Sequence, residues 1–143
     1  MDRYNATKKI REALLTIDGR TSPLDYEYPF NCSVYNVYEG YRFLDEINEF
    51  PSLMLVCEKE EIRHVGGGVR YSLVNYELRG LHWSEETQFA GELLAEDIEH
   101  VLQNSRVWAP EFEELRVLDI QTDDGLYAPL GSVIIRFTVL FER

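Results

Sequence analysis

Three histidines, two cysteines and several adjacent carboxylates are the side chains through which this sequence could do chemistry. His64, His82 and His100 stand in separate segments. No H-x-x-x-H or H-x-E pattern sets two ligands on one helical face, so no metal site is written locally. Cys32 and Cys57 lack the count and spacing of a zinc site or a disulfide framework, and read as reduced thiols in a loop and a strand. Carboxylates pair at Asp45-Glu46, Glu60-Glu61, Glu96-Asp97, Glu113-Glu114 and Asp123-Asp124. Acid–base catalysis needs two carboxylates in unlike surroundings within a cleft. Most of these pairs instead fall in turns or on the polar side of a helix, where both members are expected to be solvated. Gly66-Gly67-Gly68 lacks the G-x-x-x-x-G-K-[ST] pattern and precedes a strand, so it reads as a hairpin tip rather than a phosphate cradle. Gly131-Ser132-Val133 lacks the G-x-S-x-G frame of a nucleophile elbow. The chemistry-bearing residues argue against an enzyme.

Composition sets the bounds within which other functions must fit. At 143 residues and 45% hydrophobic content the chain suits one domain, 1–143, able to fold without metal or disulfide. Fourteen Lys and Arg against 26 Asp and Glu leave a net charge of −12. Such a balance disfavours sequence-independent nucleic-acid binding, which needs a basic patch. The longest apolar run, residues 53–57, is far short of the ~20 residues of a membrane helix. The N-terminus has no apolar signal core behind it. A protein made and kept in a cytoplasm fits these facts, and so does a virion protein assembled there.

The elements that would position these residues follow from periodicity. Ala6, Ile10, Ala13, Leu14 and Ile17 predict a helix over 3–17, stopped by Asp18-Gly19. Residues 19–33, with Pro23, Pro29, Tyr26, Tyr28 and Phe30, read as a loop longer than compact domains usually carry. A short strand follows at 34–38 and a helical turn within 43–49. Strands at 52–60 and 69–82 flank the glycine tip. The apolar phase of the second shifts from Tyr71 and Leu73 to Val74, Tyr76 and Leu78, which means a bulge or burial on both faces; the bulge is the favoured reading. Ser84 caps a helix over 85–104 whose apolar stripe is Ala90, Leu93, Leu94, Ile98, Val101 and Leu102. Its other faces carry Glu85, Glu86, Glu92, Glu96, Asp97 and Glu99 with no Lys or Arg, and are expected in solvent. A loop at 105–114, a strand at 115–122, the turn Asp123-Asp124-Gly125 and a strand from 131 or 132 to 141 complete the chain. Val133, Ile135, Phe137, Val139 and Phe141 alternate cleanly in the last strand, with Ile134 and Leu140 as exceptions on the other face. The expected fold is α+β: a mainly antiparallel (mixed) sheet of about four to five strands with both helices on one face.

Several segments, in order, resemble the tail terminator proteins of long-tailed bacteriophages, the T5-like and lambda-like siphophages among them. Residues 44–51, ending Glu49-Phe50-Pro51, lead directly into an apolar strand and a glycine-bearing hairpin. Residues 89–99 look like the family's second helix. Asp123-Asp124-Gly125-Leu126-Tyr127-Ala128-Pro129 resembles the family's D-[DE]-G-L-x-x-P turn before an apolar last strand. These segments span roughly two-thirds of the chain, and the aromatic segment 19–38 has no counterpart.

The resemblance implies a structural role without cofactor or catalysis. Tail terminators form a hexameric ring on the head-proximal end of the tail tube, stop tube polymerisation and present a docking surface to the head connector. The partners implied are further copies of the chain, the tail tube protein and a head-completion or connector protein, with the protein located in the virion and not at a membrane. DNA passes through such a ring without specific binding, which an anionic lumen favours. Carried onto this sequence, the subunit or tube interface falls on Glu49, Phe50, Pro51, Gly66, Gly67, Gly68, Asp124, Gly125, Leu126 and Tyr127, and the lumen on Glu92, Glu96 and Glu99. A neck or head-completion ring protein is the alternative, and an acidic host-directed inhibitor that mimics DNA is one of a different class.

Overall fold

The computed structural model describes residues 1–123, 125 and 127–143. Helix α1 spans Arg3–Leu14, opened by Asp2, whose carboxylate accepts the Asn5 amide at 2.8 Å. It ends three residues before Ile17. The Thr16 hydroxyl donates to the Ala13 carbonyl at 2.6 Å, and tightened bonds from Thr16 and Ile17 close the last turn. Ile17 is nevertheless fully buried.

The expected loop 19–33 is instead a small antiparallel hairpin, β1 (Thr21–Ser22) and β2 (Asp25–Pro29). Strand β3 (Asn36–Glu39) follows, then a single 3-10 turn at Leu44–Glu46. Strand β4 (Ser52–His64) runs four residues further than periodicity predicted, and β5 (Arg70–Trp83) lies one residue later than the expected 69–82. Helix α2 spans Thr87–Gln103. Ser84 is not its cap: it lies two residues before the cap position, where its hydroxyl accepts the Glu86 amide, and Glu86 at the cap position makes no capping bond through its side chain among the described residues. Within the expected loop 105–114 lie a helical turn, α3 (Ser105–Trp108), and the start of β6 (Phe112–Thr122). The last strand, β7, spans Leu130–Glu142.

The main sheet has the order β3-β4-β5-β7-β6. β3 runs parallel to β4 and every other pair is antiparallel, so the sheet is mixed. Its inner face carries Leu53, Leu55, Val74, Tyr76, Leu78, Val133, Ile135, Phe137, Val139 and Phe141, in one cluster with the apolar stripes of α1 and α2. Both helices therefore cover the same face, as expected. Each large side chain sealed there stabilises the fold by about 1.5–3 kcal/mol. Tyr76 and Phe137 stack across β5 and β7 at 5.2 Å, and the Tyr76 hydroxyl meets Thr7 of α1 at 2.8 Å, tying helix to sheet.

The expected bulge in β5 is absent; β5 pairs without a shift along β7 from Tyr71 to Trp83. The phase change has the other cause, because Leu73 lies opposite Leu140 on a half-buried outer face. Ile134 joins them there, so the exceptions to alternation share one surface. Bulges lie in β4, between Cys57 and Lys59, and in β6, between Phe112 and Glu114 and between Val117 and Asp119. Among the described residues no helix is long and apolar enough to cross a membrane.

Candidate functional site

The expected interface residues fall at opposite ends of the main sheet. Glu49, Phe50 and Pro51 lead into β4 where Ser52 pairs with Leu81, and Gly125 and Tyr127 precede β7 at the same end. Gly66, Gly67 and Gly68 form the β4–β5 turn at the far end, beyond the pairing of Tyr71 with Glu142. All three glycines have positive φ, and a Cβ on any of them would meet nothing within 4 Å among the described residues. Asp124 and Leu126 lie outside the described residues.

At the first end a groove of about 600 Å³ opens on the outer face of the sheet. Tyr41, Leu44, Met54, Leu81, Tyr127 and Leu130 line it, with Arg42 and Arg79 as its cations. Tyr41, Leu44 and Tyr127 of this lining, and Phe43 next to them in sequence, each expose more than half of their surface, a local concentration of exposed apolar side chains. Phe50 packs against Trp83 at 5.7 Å and joins a small cluster with Ile47, Met54 and Leu81 that braces the groove floor. Beside it the buried Glu77 carboxylate accepts from the Tyr41 hydroxyl and pairs with Arg136 at 3.3 Å and Arg79 at 3.7 Å. The bond to Glu77 holds the Tyr41 hydroxyl above its ordinary pKa.

The turn before β7 is seated on α2. Gly125 has φ +88°, and its amide donates to Asp123 at 2.6 Å. A Cβ there would come within 2.7 Å of the Thr87 hydroxyl in the first turn of α2. Beneath it the His82 ring, 4% exposed, is wedged against Gly131 and Gly91. Neither ring nitrogen has a hydrogen-bond partner among the described residues. Burial lowers its pKa, against a weaker opposing pull from Asp123.

The acidic helix divides in two. Glu92 and Glu96 are exposed and Glu99 is half-buried; with Tyr28, His100 and Ile120 they line a groove of about 380 Å³ between α2 and β6. Asp97 is not on that solvated face. It is fully buried and accepts from the Tyr28 hydroxyl at 3.0 Å, the Asn31 amide and side chain at 3.1 Å and the Cys32 amide at 2.8 Å. Burial raises the Asp97 pKa while these donors pull it down. Burial and the neighbouring carboxylate push the Cys32 thiol up to about 12, which favours its protonated form. Tyr28 stacks on His100 at 3.9 Å, and Phe30 meets the same ring edge-on. The unmatched aromatic segment is thus fastened to α2, and its chemistry is that of an anchor.

No protein-family model matches the chain, and no curated protein matches it. Its fold has a counterpart in a virion. A chain of the virion of a native gene transfer agent (GTA) particle is similar with a TM-score of 0.50 at 12% sequence identity, over 75% of this chain and 78% of that one. At this identity the two share a fold.

Sequence reasoning singled out Phe50, Pro51 and Tyr127, which lie at the groove end of the sheet, but missed Tyr41, Phe43 and Leu44. Tyr41, Phe43 and Leu44 sit in no periodic element, and only their density between Gly40 and Asp45 marked them. Asp97 was hidden by its acidic neighbours. Its position between Leu94 and Ile98, both core residues, was the available signal.

Proposed function

We propose that this chain is a structural component of a phage-like virion, and that it acts as a tail terminator. The observation that carries the reading is the fold it shares with a GTA virion chain across three-quarters of its length. The order of Glu49-Phe50-Pro51 entering β4, then α2, then the turn before β7 supports the finer role through its resemblance to that family. In this reading copies of the chain form a hexameric ring on the head-proximal end of the tail tube. The ring stops addition of tube subunits and receives the head connector, with no cofactor and no catalysis. The apolar groove lined by Tyr41, Leu44 and Tyr127, with the exposed Phe43 adjacent in sequence, supplies a surface for a protein neighbour in the particle. Glu92, Glu96 and Glu99 face the passage through which DNA moves, where like charge keeps phosphates from sticking. Cryo-electron microscopy of particles carrying a tagged chain tests this. Sixfold density at the head-proximal end of the tube is expected. Density at the distal tip, or a chain missing from particles, overturns the reading; a ring inside the head connector assigns it to the neck.

A further inference from the structure

The main sheet leaves two edges open, one on each side, and they differ. β6 pairs only with β7, and β3 covers β4 only from Ser52 to Leu55. Among the described residues nothing pairs with the outer side of β6, or with the side of β4 away from β5 between residue 56 and His64. An open strand is a template for another chain, and natural sheets normally cover or blunt it. Two unlike open edges on one sheet join head to tail, the type of contact that forms a ring when its rotation closes.

We infer that copies of this chain join edge to edge, β6 of one pairing antiparallel with the distal half of β4 of the next. The charge order along the two strands selects the register. On the outer face β6 carries Glu114, Arg116 and Asp119, and β4 carries Lys59, Glu61 and Arg63. Laid antiparallel, Glu114 faces Arg63, Arg116 faces Glu61 and Asp119 faces Lys59, every pair of opposite sign. On the inner face the same register sets Leu115 against Ile62 and Ile120 against Cys57. Glu60, opposite Val117, is already engaged by Arg143 at 2.9 Å and Ser72 at 2.7 Å. Each edge has its bulge at the matching place, after Val117 in β6 and after Cys57 in β4, so the register continues past both. Within one copy Arg116 pairs with Glu114 and Arg63 with Glu61 on their own strands, and Asp119 meets Arg136 of β7 at 3.3 Å. All of these side chains are well exposed and open to a second partner. Leu118 and Ile62, at 55% and 43% exposure, are covered by the contact. The inference rests on the ring reading above and supplies its subunit contact.

Two charge-reversed variants test it. Lys59→Glu with Arg63→Glu inverts one edge, and Glu114→Lys with Asp119→Lys inverts the other. Each alone is expected to self-associate about tenfold or more weakly than the wild type in sedimentation at the highest soluble concentration. Mixed in equal amounts they regain complementary edges and assemble with even copy numbers, the two variants alternating. Normal assembly of either variant alone, or no recovery on mixing, overturns the contact. Disulfide trapping guards against misfolding as the cause. Arg63→Cys mixed with Glu114→Cys is expected to give a mixed dimer. Within one copy the two positions are separated by three strand spacings of about 4.8 Å each, beyond the ~7 Å reach of a disulfide. Only Glu114→Cys homodimers would indicate a two-fold β6–β6 contact, and an absence of mixed dimers overturns the register; the wild type, with Cys32 and Cys57, is the background. Incorporation into particles is scored separately: a chain found in the virion whose edge variants assemble normally overturns this contact and leaves the proposed function standing.

Discussion

The Asp97 carboxylate accepts the Cys32 amide at 2.8 Å across 65 residues of sequence. Through that bond and its companions from Tyr28 and Asn31, one buried carboxylate on α2 fixes the hairpin of β1 and β2. Asp97→Asn keeps the volume but turns an acceptor into a donor facing a donor. The expected loss is about 1–3 kcal/mol for the stranded buried group. Urea unfolding monitored by circular dichroism checks it, and proteolysis near residues 22–30 is expected to quicken. Unchanged stability would mean that the carboxylate is not the anchor.

His82 makes stability depend on pH. Its folded-state pKa lies below the ordinary 6.5 because burial disfavours the imidazolium. Between those two values the unfolded chain binds more protons than the folded one, so stability falls as pH drops below about 6.5. Above that pH the histidine contributes no slope. His82→Asn, which does not titrate, is expected to flatten this part of the profile. Denaturation of both proteins at a series of pH values between about 5 and 8 gives the difference; parallel profiles would place His82 in solvent.

Gly125 is constrained twice, by its positive φ and by the Thr87 hydroxyl. Gly125→Val should cost about 1 kcal/mol or more from backbone strain alone, with the clash added. A variant that melts at the wild-type temperature would remove Gly125 from the turn seated on α2.

Glu92, Glu96 and Glu99 separate a functional from a merely solvated helix face. Changing all three to Lys is expected to alter stability little at Glu92 and Glu96, since exposed charges contribute at most ~1 kcal/mol each, and somewhat more at the half-buried Glu99, which accepts from Gln103 at 2.9 Å. In a ring the same changes line the passage with cations that grip DNA in a salt-dependent way. Particle assembly and DNA ejection are the measurements, with melting temperature as control. Normal ejection from normal particles returns these residues to the role of solubilising charge.

Elements whose periodicity is their own are legible in the residues alone. β7 declares its inner face through Val133, Ile135, Phe137, Val139 and Phe141, and α1 through Ala6, Ile10 and Leu14; each needs only a neighbouring apolar surface. The hairpin of β1 and β2 is not legible in this way, because Tyr28, Asn31 and Cys32 take their positions from Asp97 far along the chain. β5 misleads for a related reason. Its phase change reports Leu140 on the adjacent strand, not a defect in its own backbone. Of the candidate sites, the glycine tip and the seated turn are written in local residue types, while the groove of Tyr41 and Leu44 exists only once the sheet end and the turn before β7 are brought together.

His82 and Gly131 occupy one space that cannot hold another side chain, and Gly91 lies close against the same ring. A Cβ at Gly131 would lie 2.8 Å from the His82 Nε2, and one at Gly91 would lie 3.2 Å from it. His82 and Gly131 are therefore not free to drift independently. A lineage that acquires alanine at Gly131 must first replace the ring with something smaller, whereas the reverse order passes through a broken core. Descendants of this sequence should either keep the histidine with Gly131 or lose the ring before losing Gly131, a historical constraint imposed by packing alone.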